Sequence, residues 1–141
     1  MSRFILDASL AVAWFIPDPE TPYALSVRSR LAAGSTAVVP SIWAVEVANA
    51  FVKSVRRGTL TEEAVEYGLQ TLETLISSGS RISMDSSLKS VREAYAEARR
   101  YQLSAYDGPY LQLAIDARLP LATLDKGLRA AALKAGVALL K

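Results

Sequence analysis

The chain has 141 residues, 51% of them hydrophobic and 21% charged, which suits a single domain over 1–141 that hides roughly two thirds of its unfolded surface. It contains no cysteine and no histidine, so disulfides, thiolate nucleophiles, sulfur- or imidazole-ligated metals and histidine acid–base chemistry are excluded. No apolar run reaches the roughly 18 residues of a membrane span and the N-terminal stretch lacks a signal-peptide pattern, so a cytoplasmic protein with no membrane partner is expected.

In chain order, Arg3 to Leu6 reads as a strand, Ala8 to Phe15 as a short helix stopped by Pro17, and Pro22 to Ala33 as a helix ending at Gly34. Thr36 to Val39 is a β-branched strand, and Ser41 caps a helix running to about Arg57, where Gly58 ends it. Thr61, with Glu62 and Glu63 in the first turn, opens a helix to about Ser77, making an αα-hairpin. Arg81 to Met84 is a third strand, followed by helices over Ser86 to Tyr101 and Ala105 to Ala117. A fourth strand at Pro120 to Thr123, a helix at Lys126 to Ala135 and a last strand at Val137 to Leu140 complete the chain. Strands joined by helical crossovers predict an α/β fold: a mostly parallel sheet with helices on both faces, whose ligands bind beyond the carboxyl ends of the strands.

Four acids occupy places where such a sheet concentrates chemistry. Asp7 follows the apolar run Phe4-Ile5-Leu6, and Asp125 follows Leu121 to Leu124, so both belong at carboxyl ends of strands; each also precedes a helix and suits an N-cap. Glu46 lies in a segment with apolar residues on nearly every side, which predicts a helix buried almost all round with one narrow polar stripe. That stripe is Glu46, Asn49, Lys53 and Arg56/Arg57, at spacings of three and four. A carboxylate between Val45 and Val47 needs a partner, and a metal ion offsets the cost of its burial. One turn on, Asn49 suits a water on that ion, and Lys53 suits a phosphate.

Asp107 stands three residues after Ser104 in a spacing that resembles a capping box, and Pro109 fixes the helix start beside it. Asp116, nine residues further, is about half a turn away and faces elsewhere. Asp85, after the third strand, reads as a cap. Four unpaired carboxylates in one place repel one another, and oxygen-only ligands favour Mg²⁺ or Mn²⁺ over zinc. With the four set aside, sixteen Lys and Arg face ten remaining acids, an excess of six positive charges that suits a polyanionic substrate.

Strand-D-A-S near the N-terminus, P-S-x-x-x-x-E on the third helix, S-x-Y-D-x-x-Y-L-x-L-A two thirds along, and T-x-D-x-x-L near the end cover the chain in order. In this it resembles the PIN-domain ribonucleases, specifically the VapC-type toxins of toxin–antitoxin pairs. The resemblance implies a PIN fold with about five strands, a Mg²⁺- or Mn²⁺-dependent endoribonuclease, and inhibition by a cognate VapB-type antitoxin. It implies that Asp7, Glu46, Asp107 and Asp125 are the catalytic and metal-binding acids, with the hydroxyls of Ser9 and Thr123 in support. Two departures stand out: Gly108-Pro109 follows the third acid where Ala-Leu is common, and Lys126-Gly127 follows the last where arginine is frequent.

The expected reaction is hydrolysis of an RNA phosphodiester by a metal-activated water, with Asn49, Lys53 and Arg129 orienting water or gripping phosphate. Apolar surface around Trp14-Phe15-Ile16 and the αα-hairpin is expected to receive an antitoxin segment or a second copy in a homodimer or higher homo-oligomer. The alternative is a catalytically silent PIN-like module that binds RNA or protein. Phosphotransfer on a similar sheet is disfavoured: a haloacid-dehalogenase-type phosphatase needs a second Asp where Ser9 stands, and a receiver domain needs an acidic pair where Asp7 is alone.

Overall fold

The computed structural model describes residues 2–17, 22–77 and 81–141. Within them, four strands, β1 (Arg3–Leu6), β2 (Thr36–Pro40), β3 (Ile82–Asp85) and β4 (Leu121–Ala122), form one sheet in the order β3-β2-β1-β4. Every pairing is parallel, with Ile5 opposite both Val38 and Leu121 and with Pro40 opposite Asp85. The helices are α1 (Ala8–Ala13), α2 (Pro22–Ala32), α3 (Trp43–Arg56), α4 (Glu62–Ser77), α5 (Val91–Tyr101), α6 (Gly108–Ala117) and α7 (Lys126–Lys134).

Phe4, Ile5 and Leu6 are each fully buried. Because successive strand side chains point to opposite faces, this means both faces of β1 are covered, as a parallel sheet requires. α6 packs over β1, β2 and β4, and α1 packs on α3. After β1 the chain moves to one side through β2 and β3, then returns to place β4 on the other side of β1. Strand order therefore reverses between β1 and β4, and a crevice opens there beyond their carboxyl ends.

Several elements differ from expectation. The sheet has four strands; the Val137 to Leu140 segment makes only a parallel bridge at Leu139, through amide bonds to both sides of Leu121, because β4 offers it just two residues. α5 begins at Val91, not at Ser86, since Ser90 is its N-cap: the hydroxyl accepts the Glu93 amide at 3.1 Å and donates to the Glu93 carboxylate at 3.2 Å. α6 begins at Gly108 after a turn at 105–107. α3 is capped at Ile42 without a side-chain bond, so Ser41 is not its cap.

α3 is also not buried all round. Trp43, Val47, Phe51 and Ser54, at helical spacing, form its buried face, whereas Val45 is 64% and Val52 46% exposed. Trp14, expected at the surface, is buried with its indole N–H donated to the Ala24 carbonyl at 2.7 Å. On the α3–α4 hairpin, the other place where apolar surface was expected, Val52 and Tyr67 are open, as are Leu88 and Val91 on the stretch before and at the start of α5.

Candidate functional site

The register that aligns Leu6 with Ala122 makes Asp7 and Thr123 neighbours one residue further on. The Asp7 amide donates to the Ala122 carbonyl at 3.0 Å, and the fully buried Thr123 hydroxyl donates to Asp7 Oδ2 at 2.6 Å. Ser9 donates to the same oxygen at 2.8 Å. Asp7 holds the N-cap position of α1 but makes no side-chain cap bond, so Oδ1 is left without a side-chain donor. Burial pushes its carboxyl above the ordinary range; the two hydroxyls oppose this and the Asp125 charge adds to it.

Asp125 caps α7 as expected, its Oδ1 accepting the Leu128 amide at 2.8 Å. Its own amide donates to Thr123 Oγ1 at 3.0 Å, so the Thr123 hydroxyl links the two acids, accepting from one segment and donating to the other.

Glu46, half-buried in the first turn of α3, accepts the Tyr110 hydroxyl at Oε1 over 2.7 Å. Burial, followed by the charges of Asp7 and Asp107, raises its carboxyl to about 7 despite that bond. Tyr110 is fully buried on α6, and burial together with the adjacent Glu46 raises its hydroxyl as well, keeping it a donor. Sequence reasoning gave Tyr110 no role, although it stands in the S-x-Y-D-x-x-Y-L-x-L-A run. The signal available was the hydroxyl itself, since a buried tyrosine needs a partner for its polar tip.

Asp107 occupies the N-cap position of α6, its amide bonded to Ser104 Oγ at 3.1 Å, while its carboxylate makes no cap bond. Burial, then the charges of Asp125 and Asp7, raises its carboxyl. Gly108 and Pro109 form the first turn of α6 without displacing this acid.

All four carboxylates border one groove of about 570 Å³, with Ser9, Asn49, Lys53 and Tyr106 also on its walls. Arg129, expected at the phosphate, is turned away: its guanidinium donates to the Thr123 carbonyl at 2.9 Å and lies 5.5 Å from the centre of the Tyr23 ring. It braces the segment between β4 and α7. Asp116 accepts from Gln112 at 2.8 Å and stays out of the groove, and Asp85 caps no helix but accepts the Ser87 amide and hydroxyl in a local turn.

Among the described residues, no three acidic side chains converge into a ready-made metal cage. The acids border an open groove and are all hard oxygen donors, and the proton affinities of Asp7, Glu46 and Asp107 are raised by burial and by the charges of neighbouring acids. This suits a hydrated cation that takes one or two carboxylates and keeps several waters, which is how Mg²⁺ usually binds. Asp7 Oδ1, Glu46 and Asp107 are the groups able to contact such an ion, with Asp125 at the rim.

The family model described as the PIN domain matches residues 4–134. The chain is 29% identical over 126 residues to Ribonuclease VapC3 of Pyrobaculum aerophilum, an alignment covering 89% of this chain and 92% of that protein. Among solved structures, PAE2754 from Pyrobaculum aerophilum superposes with a TM-score of 0.67 at 19% identity, over 92% of this chain and 84% of that one. FitAcB from Neisseria gonorrhoeae does so with a TM-score of 0.55 at 21% identity, over 98% and 96%. These two likenesses bear on the fold. Since the family model spans the whole sheet and all four acidic segments, the chain belongs to the PIN-domain family.

Proposed function

We infer that this PIN-domain protein is an endoribonuclease dependent on Mg²⁺ or Mn²⁺, and that it is the VapC-type toxin of a toxin–antitoxin pair. The observation that carries the reading is the meeting of Asp7, Glu46, Asp107 and Asp125 on one groove at the point where strand order reverses. The likeness to a protein named Ribonuclease VapC3 over nearly the full length of both chains supports the substrate class.

When bound, the cation supplies charge neutralisation for the phosphodiester and lowers the pKa of a coordinated water. The chain's residues provide the rest. Ser9 and Thr123 fix the Asp7 carboxylate so that its other oxygen is available to the groove. Tyr110 holds Glu46 in one orientation from behind. Lys53 and Asn49 line the groove, which supports a role for them in meeting phosphate oxygens and water. The absence of a cysteine and of a histidine is consistent with direct hydrolysis without a covalent enzyme intermediate by those nucleophiles.

The antitoxin, and a second copy of the chain in a homodimer or larger assembly, belong to the same reading. The α3–α4 hairpin offers a groove of about 600 Å³ walled by Phe51, Val52, Val65 and Leu69 for such contacts.

The test is regulated expression of the wild type beside Asp7→Asn, with transfer-RNA and ribosomal-RNA fragments sequenced after induction. New fragments with defined ends from the wild type alone are expected. Identical fragment patterns from the two would leave a PIN-fold module that binds RNA or protein without cutting.

A further inference from the structure

Beside the carboxylate groove lies a second cavity of about 350 Å³ that the reaction described above does not use. Its walls come from the carboxyl ends of β2 and β3, the stretch after β3 and the start of α6, including Ser41, Asp85, Leu88, Lys89 and Pro109. One side chain borders both spaces. Tyr106, immediately before Asp107, lines the second cavity and the carboxylate groove alike, and it is 61% exposed. An aromatic of that size left open beside an acidic site is not explained by core packing, whereas Tyr110, four residues on, is fully buried.

The sheet register places the second cavity on the same edge as the acids. Pro40 pairs with Asp85, and the β1–β2 register carries Asp7 opposite Pro40, so Asp7, Pro40 and Asp85 form one row across three strands. At the ordinary strand spacing, Asp85 is about 10 Å from Asp7, within reach of a nucleotide next to the one being cut. The cavity is at the small end of the roughly 300–1,000 Å³ range of small-molecule sites. Asp85 is also held in a fixed orientation: its Oδ1 accepts the Ser87 amide at 3.0 Å and the Ser87 hydroxyl at 2.7 Å. Those bonds keep it ionised and acceptor-only, and Oδ2 is left without them.

We propose that this cavity is a base-selecting subsite: the nucleobase beside the scissile phosphate stacks on Tyr106, and Asp85 Oδ2 accepts from its exocyclic amino group. The assignment rests on the ribonuclease reading and adds to it a substrate contact and a preference. Single-stranded RNA is bound chiefly by stacking on aromatic faces, with selectivity from hydrogen bonds to exposed base edges. Guanine, adenine and cytosine carry an exocyclic amino group; uracil has none, so uracil at this position is disfavoured. Lys89 also lines the cavity, its ammonium paired with the buried Glu97 carboxylate.

The test uses short fluorescent RNAs with each of the four bases at the nucleotides flanking the cleavage site, in cleavage assays with Mg²⁺ or Mn²⁺ and in binding assays on an Asp7→Asn background. Tyr106→Ala should weaken binding about tenfold, within the range that loss of one base–aromatic stack produces. Tyr106→Phe should restore it, and Leu133→Ala, at an exposed side chain of α7 that lines neither space, should change nothing. Asp85→Asn keeps an acceptor for Ser87 and presents an amide donor in place of the free oxygen, so the preference should move toward uracil without loss of folding. If the wild type cuts RNA while Tyr106→Ala matches it in KM and base preference, the subsite is overturned and the nuclease reading stands. If the wild type neither binds nor cuts any of the RNAs, both fail together.

Discussion

Thr123 shows how much one hydroxyl can do at the residue scale. It is fully buried, donates to Asp7 and accepts from the Asp125 amide, so it sets the orientation of one acid and the backbone of another. Thr123→Val preserves its shape and removes both bonds. Asp7 then loses the larger of the two hydroxyl contributions that oppose its burial, and its carboxyl should rise further. RNA cleavage is expected to fall about 10- to 100-fold, as when a ligand loses its outer-shell partner. The acid limb of the kcat/KM–pH profile should move to higher pH, and Ser9→Ala should do the same more weakly. Glu46 gives a second prediction, with its own sign. Its carboxyl is at about 7 in the folded protein against an ordinary 4.5, so the folded state binds the proton more tightly than the unfolded chain. This contribution to stability is fully present below about pH 4.5 and is lost as pH rises through about 7. In chelator-treated protein, the Tm of the wild type relative to Glu46→Gln should therefore decline over that window and then level off. A difference that stays flat from pH 4 to 8 would show that Glu46 is solvated in solution.

At the scale of elements, the site depends on how helices seat on one another. Gly68 of α4 is buried where a Cβ would come within 2.9 Å of the Phe51 ring on α3 and 3.3 Å of Phe15. Gly68→Ala gains about 1 kcal/mol in helix propensity but overpacks this contact by about 1–3 kcal/mol, so a net loss of about 1 kcal/mol is expected in denaturant melts. Gly108 at the start of α6 meets only ordinary contacts at 3.6 Å or more, and Gly108→Ala should be neutral or slightly stabilising. What separates the two glycines is a neighbour from another element, which the sequence does not print beside either. The same limit explains which parts of the fold were legible. Asp7 could be placed because it directly follows an apolar strand and Asp125 because it stands shortly after another, a local signal. The α5 start is present in the sequence as Ser90 and Glu93, but Ser86 offers the same kind of cap four residues earlier, and only the structure separates the two. Arg129 shares a short helix with Asp125, and only its contacts with Thr123 and Tyr23 show that it faces away from the groove. The exposure of Val45 and Val52 could not be read from an apolar helix, since hydrophobicity does not say which face another helix will cover.

Across the whole molecule, the charge distribution sets stability against activity. The chain's excess of positive charge lies outside a groove bordered by four acids, three of which have their proton affinity raised by another member of the set. Without a cation, this repulsion opposes the folded state. Asp107→Asn removes a charge that acts on both Glu46 and its own neighbours Asp125 and Asp7, while its backbone role at the start of α6 remains. In an open, salt-screened groove the relief is of order 1 kcal/mol. Metal-free Asp107→Asn should thus melt about 3 °C above the metal-free wild type at pH 7.5, yet cut no RNA. Adding millimolar Mg²⁺ or Mn²⁺ should reverse the order, because the wild type gains binding free energy that the variant lacks an oxygen to provide. Sodium chloride at matched ionic strength should narrow the gap without reversing it, since screening weakens repulsion in both proteins but coordinates neither. At pH 5 the reversal should fade, as Glu46, raised to about 7, holds a proton that competes with the ion. Paired thermal melts across these conditions decide the matter: a stability order unaffected by divalent cations would mean that the four acids do not act as a cation site, however closely the fold gathers them.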